Sequence, residues 1–273
     1  VLFRSGRIAA TNAISDIYAM GGTPLMAISI FGWPLDKLPP EVGREVIEGG
    51  RSVCQQAGIM LAGGHSIDSP EPIFGLAVTG KVKIKHLKQN STAQVGDKIY
   101  LTKPLGIGIL TTAQKQKKIT KEDESRAIDT MCQLNDIGTK LALIQGIHAI
   151  TDVTGFGLGG HLSEVCLGSG VGALINYDKV PILPNIKDYL ANGCSPGGAT
   201  RNFESYGHNL SQMSAEVQSI ICDPQTSGGL LVMVSTSAQS EFDQVMQSAG
   251  FNLEAIGELI EQPDRSKPII QIK

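Results

Sequence analysis

The chain has 273 residues, of which 41% are hydrophobic and 18% are charged, and its formal net charge is −3 at pH 7. This length is sufficient for two domains with sizeable cores, and the composition is typical of a soluble globular protein. Basic residues are scattered except at residues 115–118 (KQKK), so the sequence offers little basic surface for binding nucleic acid or anionic membranes. No apolar run reaches the roughly 18 residues that a bilayer span requires. We therefore expect a cytoplasmic protein that binds neither nucleic acid nor membrane.

The cysteines indicate the redox compartment. No CxxC pair occurs among the five, which are Cys54, Cys132, Cys166, Cys194 and Cys222. An odd number without paired spacing argues against a disulfide framework and against a zinc site. We predict that each cysteine is a small core residue of a protein in a reducing compartment.

The first part of the chain alternates helices and strands. Residues 6–20 have helical periodicity, and Gly21 and Gly22 follow them in a typical C-cap position. The next predicted elements are a strand, a helix and two strands, at residues 25–33, 41–56, 59–64 and 73–82. GHSIDSPEP, between the last two strands, is predicted to be a tight loop that presents Gly64, His65 and Ser66.

A polar stretch at residues 86–98 predicts a domain boundary near residue 90, which gives domains 1–90 and 91–273. The second part again alternates elements, from KIYLTKPLGIGIL through HAITDV and HLSEVCLGS to GGLLVMV, SEFDQVMQSAG and EAIGELI. This alternation predicts an α/β or α+β domain.

A glycine-rich stretch follows the predicted strand that ends near Asp152. Gly155, Gly157 and Gly160 match G-x-G-x-x-G, and Asp178 ends the next strand, as in a dinucleotide-binding unit. The carboxylate of Asp152 argues against that interpretation, because it would repel a pyrophosphate at this place. No second mononucleotide-binding half follows either.

A divalent cation removes this objection, because Mg²⁺ prefers one or two protein carboxylates and phosphate oxygens. Asn12 and Asp16, at i and i+4, project from the same face of the first predicted helix. They could add an amide and a carboxylate to the metal–phosphate assembly at Asp152. The alternative is a local cap or pair at Asp16 and an Asx turn at Asp152. Spacing alone leaves both interpretations open.

Six segments together resemble one family, the selenide, water dikinases (selenophosphate synthetases). They are GRIAATNAISDIYAMGG, AGGHSIDSPEPIFGLAVTG, LTKPLGIGIL, TDVTGFGLGGHLSE, GGATRNF and CDPQTSGGLL, in the family's order. The resemblance implies an α/β (α+β) two-domain fold like that of aminoimidazole ribonucleotide synthetase, with an incomplete N-terminal sheet domain that dimerises and a C-terminal α+β domain. It also implies that ATP, selenide and water give selenophosphate, AMP and phosphate, with magnesium required.

The resemblance also implies roles for individual residues. Asp16 and Asp152 match magnesium ligands of the family, and Asn12 matches a position near the ATP phosphates, where Asp16 also lies. Gly64, His65 and Ser66 match a nucleotide-contacting segment that reaches the site of the partner subunit. A homodimer is therefore expected.

The chain departs from the family before Gly6. Family members carry there a flexible loop with a reactive cysteine or selenocysteine, a lysine and a further magnesium-binding aspartate, whereas this chain begins VLFRS. None of the five cysteines matches the reactive one, so no catalytic residue is assigned. The chain is interpreted as a fragment, with VLFRS as foreign or mis-joined sequence. We expect the chain by itself not to form selenophosphate. The alternatives are a non-catalytic nucleotide-binding relative or partner of the full-length enzyme, and a thiamine monophosphate kinase-like or hydrogenase-maturation-type ATPase.

Overall fold

The structure is a computed structural model that describes residues 2–262, 264 and 267–273. Its first unit contains two helices and three strands: α1 (Leu2–Ala19), β1 (Thr23–Trp33), α2 (Pro40–Gln56), β2 (Met60–Asp68) and β3 (Ile73–Lys81). Of the VLFRS segment, Val1 lies outside the described residues, and the next four residues belong to α1.

Helix α1 forms because its apolar residues recur on one face. Ala10, Ile14 and Tyr18 are buried against residues of α2 and β1. The helix ends in a Schellman-type turn, in which the N–H of Gly21 donates to Tyr18 and that of Gly22 donates to Ile17. Gly21 has φ +73°, so the predicted C-cap is confirmed.

The three strands form a sheet in the order β2-β1-β3, with β1 parallel to β2 and antiparallel to β3. The prediction of a tight GHSIDSPEP loop was wrong, because β2 continues through Gly64, His65 and Ser66 to Asp68. Pairing with β1 holds this segment extended. Between the pairs Ala27–Leu61 and Ser29–Gly64, β2 has one residue more than β1, and its two glycines accommodate this extra residue. They form a bulge inside the strand instead of ending it.

The second unit is built on a six-stranded sheet in the order β5-β7-β4-β8-β6-β9. Its strands are β4 (Lys98–Leu101), β5 (Ile147–Asp152), β6 (Val171–Ile175), β7 (Leu230–Val234), β8 (Gly257–Glu261) and β9 (Ile270–Ile272). Its helices are α3 (Ile107–Lys115), α4 (Lys121–Cys132), α5 (Ile137–Leu141), α6 (Gly157–Ser169), α7 (Ile186–Ala191), α8 (Gly197–Tyr206), α9 (Ala215–Ile221) and α10 (Gln239–Ser248).

This sheet excludes the dinucleotide-binding interpretation of the glycine-rich stretch. In the part of the chain that the structure describes, strand β5 pairs only with β7, which is antiparallel to it. Strand β6 lies four places further along the sheet. The parallel neighbours of a dinucleotide-binding unit are therefore missing around Gly155, Gly157 and Gly160. The α+β class implied by the resemblance is confirmed.

Helix α1 connects the two units, because it packs against α2 and β3 on one side and against α4, α5 and β5 on the other. The boundary near residue 90 stays a prediction. All five cysteines are buried and free, as predicted. Within the described part of the chain, no helix combines the length and the apolar character needed to span a bilayer.

Candidate functional site

A cavity of about 660 Å³ opens between α1 and the C-terminal unit. Asn12 lines it from α1, and the loop that follows β5 contributes Thr154 and Gly155. Gln225 and Thr226 close it from the turn before β7. This volume lies within the range of small-molecule and cofactor sites.

Asp16 and Asp152 lie beside this cavity. Asp16 follows Asn12 by about one turn of α1, and Asp152 precedes Thr154 at the end of β5. Asp16 is exposed, whereas Asp152 is buried. Partial burial of the carboxyl group raises the pKa of Asp16, and the negative charge of Asp152 raises it further. The structure thus brings the two predicted metal ligands close enough to repel each other.

A buried relay of hydrogen bonds leads to Asp152. The Ser15 hydroxyl donates to Asp152 Oδ2 over 2.7 Å. Asn135 Nδ2 donates to Ser15 Oγ over 2.9 Å and to the carbonyl oxygen of Gly228 over 2.9 Å. The carboxylate is therefore tied to α1, to the α4–α5 connection and to the turn before β7.

A second set of contacts fixes that turn. The N–H of Ser227 donates to Asn12 Oδ1 over 3.0 Å, and its carbonyl accepts from Lys103 Nζ at 2.8 Å. Ser227 has φ +52°, a strained conformation for serine that these contacts hold. Burial lowers the pKa of Lys103 to about 8, although the charge of Asp152 opposes this shift.

Asp223 anchors the same turn to α3. Its Oδ2 accepts from the N–H of Gly108 over 3.0 Å and from Gln225 Nε2 over 2.7 Å. Gln225 Oε1 in turn accepts from the N–H of Ile107. Both side chains thus satisfy amides in the first turn of α3, which leaves Gln225 at the wall of the cavity.

Backbone is accessible in the loop after β5. A Cβ placed on Gly155 would meet no atom within 4 Å, so this residue leaves room at the cavity wall. Gly157 has φ +67°, and a Cβ there would collide with the carbonyl of Asp223. Asn202 holds the loop in place by donating to the carbonyls of Gly155 and Cys222. A phosphate could therefore approach the backbone closely.

Gly64, His65 and Ser66 do not line this cavity. They lie on β2, an edge strand of the three-stranded sheet. Within one chain, the structure brings Asn12, Asp16 and Asp152 together and leaves the β2 residues apart from them.

The carboxylates fit a magnesium ion better than zinc. Among the residues that the structure describes, no lysine or arginine forms an ion pair with Asp16 or Asp152. Within the same residues, no cluster of three or more histidine, cysteine or acidic side chains could enclose a metal. Two protein carboxylates completed by water and phosphate oxygens are typical of Mg²⁺, whereas structural zinc requires four protein ligands.

Several residues around the cavity were not predicted from the sequence. Ser15 and Asn135 are ordinary polar residues within or beside helices, and Lys103 lies in LTKPLG without a motif that marks it as buried. Gln225 and Thr226 belong to CDPQTSGGLL, which predicts only a turn. The signal available for Ser15, Lys103, Gln225 and Thr226 is their place in segments that resemble one family, and Asn135 lies outside those segments.

The amino-acid sequence matches a known pair of domain families over most of its length. The model for the N-terminal domain of AIR synthase related proteins matches residues 2–82, and that for their C-terminal domain matches residues 94–267. The chain is therefore an AIR synthase related protein. It is also 60% identical, over 94% of its own length and 73% of the relative's, to the "Selenide, water dikinase" of Shewanella sp. (strain MR-4). The chain belongs to the selenide, water dikinase family.

Solved structures share the fold at low sequence identity. Thiamine-monophosphate kinase from Stenotrophomonas maltophilia K279a superposes with a TM-score of 0.77 at 17% identity, over 100% of this chain and 79% of that one. The hydrogenase maturation protein HypE, in complex with ATP, gives a TM-score of 0.72 at 17% identity, over 93% and 70%. Such identity establishes the common fold alone, so the much higher identity to selenide, water dikinases decides the family.

Proposed function

We propose that this protein is an ATP-dependent phosphotransferase that converts selenide, ATP and water into selenophosphate, AMP and phosphate. The observation that supports this proposal most strongly is the 60% identity to a selenide, water dikinase over 94% of the chain. The site agrees with this chemistry, because Asp16 and Asp152 lie within four residues of the cavity-lining Asn12 and Thr154. The wall of the cavity also includes the uncovered backbone of Gly155. Phosphoryl transfer requires positioned phosphates and neutralised charge more than covalent participation by the protein.

Asp16 and Asp152 would hold magnesium ions, which supply electrostatic stabilisation of the phosphate oxygens. The negative charge of Asp152 contributes to the raised pKa of Asp16, and this supports the assignment, since a cation between the two carboxylates would offset that charge. Asn12 lies at the cavity one turn before Asp16, where its amide can orient a phosphate group. Thr154 and Thr226 offer hydroxyl groups on the same wall.

A homodimer is part of the proposal. Ile28 and Ile30 of β1, Ile67 of β2 and Ile73 of β3 are 43 to 53% exposed. Their register places all four on one face of the sheet, and we name this set the isoleucine face. Such an apolar patch is typical of a protein interface.

His65 supports a second copy as the occupant of the isoleucine face. It pairs with Ile30 in the parallel ladder, so its side chain is on the same face. A copy that covers the isoleucine face would therefore meet His65. The resemblance to the family implies such a contact, in which Gly64, His65 and Ser66 approach the nucleotide of the partner subunit.

Phosphorus NMR tests the reaction directly. The product of the complete gene, supplied anaerobically with ATP, selenide and magnesium, should release AMP and form a phosphorus–selenium species in equal amounts. Asp16→Asn should reduce the rate at least a hundredfold, whereas Asp178→Asn, an exposed substitution outside the site, should leave it unchanged. Selenide-independent release of ADP, or ATP binding without turnover, would contradict the proposal.

A further inference from the structure

We propose that Ser15 and Asn135 are positioning residues that fix the Asp152 carboxylate in one orientation, with Oδ2 held by the protein and Oδ1 presented to a magnesium ion. This inference rests on the proposed function, because it concerns how the proposed metal ligand is held. It adds two residues that neither the sequence motifs nor the family assignment singles out.

The donors and acceptors of the relay determine its direction. The carbonyl of Gly228 can only accept, so the Asn135 atom 2.9 Å from it must be the amide nitrogen. The same nitrogen lies 2.9 Å from Ser15 Oγ and can only donate to it. The single hydroxyl hydrogen of Ser15 is therefore committed to Asp152 Oδ2, at 2.7 Å.

Burial makes this arrangement difficult to replace by water. Ser15 is 1% exposed, Asn135 is 3% exposed and Asp152 is 8% exposed. Removing one member of such a buried network destabilises the folded protein, because solvent cannot restore the hydrogen bond of the partner that is left. Within the described residues, Oδ2 of the carboxylate accepts the Ser15 hydrogen bond, whereas Oδ1 accepts none and remains for an external ligand.

The relay also joins three distant parts of the chain at the metal position. Ser15 comes from α1, Asn135 precedes α5, and Gly228 belongs to the turn before β7. Asn12 binds this same turn through Ser227, so a shift of α1 would move both the cavity wall and Asp152. Residues that support a ligating carboxylate in this way usually affect metal affinity by tenfold or more.

The test measures the magnesium concentration that gives half-maximal ATP binding, by titration calorimetry of the wild-type protein and its variants. Ser15→Ala should raise this concentration about tenfold. Asn135→Ala should raise it less, because Ser15 can still donate once it is free to rotate. Ser15→Thr keeps the hydroxyl group and should restore wild-type behaviour within about threefold. ATP affinity in the presence of a chelator should be the same in all variants.

Thr11→Val is the matched control. Thr11 is also a buried hydroxyl residue of α1, but among the described residues its Oγ1 donates only to the carbonyl of Arg7 in the same helix. Equal magnesium dependence of Ser15→Ala and Thr11→Val would overturn the inference, as would a Ser15→Thr variant as weak as Ser15→Ala. A wild-type protein that binds no ATP at any magnesium concentration would instead contradict the proposed function.

Discussion

Asp223 shows how strongly burial alters a single carboxyl group. It is fully buried, and desolvation raises its pKa to about 7 in spite of the hydrogen bonds from Gln225 and from the backbone of α3. One of its oxygens, Oδ1, has no hydrogen-bond partner within the described residues. Ionisation of this group therefore opposes folding, whereas its protonated form is tolerated.

A pH-dependent stability follows from this pKa. Between the unfolded value of 3.8 and the folded value of about 7, the folded state holds a proton that the unfolded state has lost. The free energy of unfolding should thus fall as the pH rises through this window, by up to about 1.4 kcal/mol per pH unit from this residue.

Chemical denaturation of the wild-type protein and of Asp223→Asn at pH 4.5, 5.5 and 6.5 measures this contribution. The substitution should reduce the fall of the unfolding free energy with rising pH, because asparagine does not titrate. Asp188→Asn, an exposed change on α7, should leave the slope as it is. If the free energy of unfolding changes with pH at the same rate in Asp223→Asn and in the wild type, Asp223 has the same pKa in the folded and the unfolded state, which contradicts the prediction.

Local spacing predicts some of the site residues and misses others. Asn12 and Asp16 share a helix face because they are four residues apart, and that geometry is readable from the sequence. The contacts of Asp152 are not readable, because Ser15 and Asp152 are separated by 137 positions. Only the folded chain shows that a serine of α1 reaches the end of β5.

At the scale of elements, glycines allow α1 and α2 to cross in close contact. A Cβ on Gly6 would collide with the carbonyl of Val46, and one on Gly49 would collide with the carbonyl of Phe3. The two backbones therefore touch where side chains would otherwise separate them. This crossing sets the position of α1, and hence of Asn12 and Asp16 relative to the C-terminal unit.

Gly49→Ala should destabilise the protein by about 2 to 3 kcal/mol, because the added methyl group meets backbone that cannot move aside. Thermal or denaturant unfolding measures the change. Gly197→Ala is the control, since its new methyl group would lie 3.4 Å from the flexible end of Arg201. Equal stability of the two variants would contradict the proposed role of the crossing.

The elements themselves differ in how well the sequence predicts them. Helix α1 and its glycine cap follow from local periodicity and backbone chemistry. Strand β2 does not, because GGHSID contains residues typical of a turn and is kept extended by pairing with β1. Tertiary pairing overrides local preference there, as is common for strands.

At the scale of the molecule, the described residues cover the three-stranded sheet on one side only. Helices α1 and α2 pack on the face that contains Ala27, and the isoleucine face is open. The six-stranded sheet, in contrast, contributes residues to two buried clusters, with Leu231 and Met233 in one and Val232 and Val234 in the other. The sequence predicts the class of both units but not this asymmetry, which depends on how the elements are stacked.

Ile30→Glu should convert the proposed dimer to a monomer, because a charged side chain cannot be buried in an apolar interface without a partner. Sedimentation velocity or light scattering at micromolar concentration measures the change. Ile84→Glu is the matched control, since Ile84 is 92% exposed and lies outside the sheet. A wild-type monomer, or a dimer that persists in Ile30→Glu, would exclude the isoleucine face as the interface.

The most direct test of the central claim is the effect of Asp152→Asn on magnesium-dependent ATP binding. Asparagine keeps the shape of the side chain and an oxygen for the Ser15 hydroxyl, so the substitution removes mainly the negative charge. Calorimetry should show that ATP affinity in magnesium falls at least tenfold in this variant and is unchanged in Asp178→Asn. Equal affinities of the wild type and Asp152→Asn would contradict the assignment of Asp152 to a metal site for ATP.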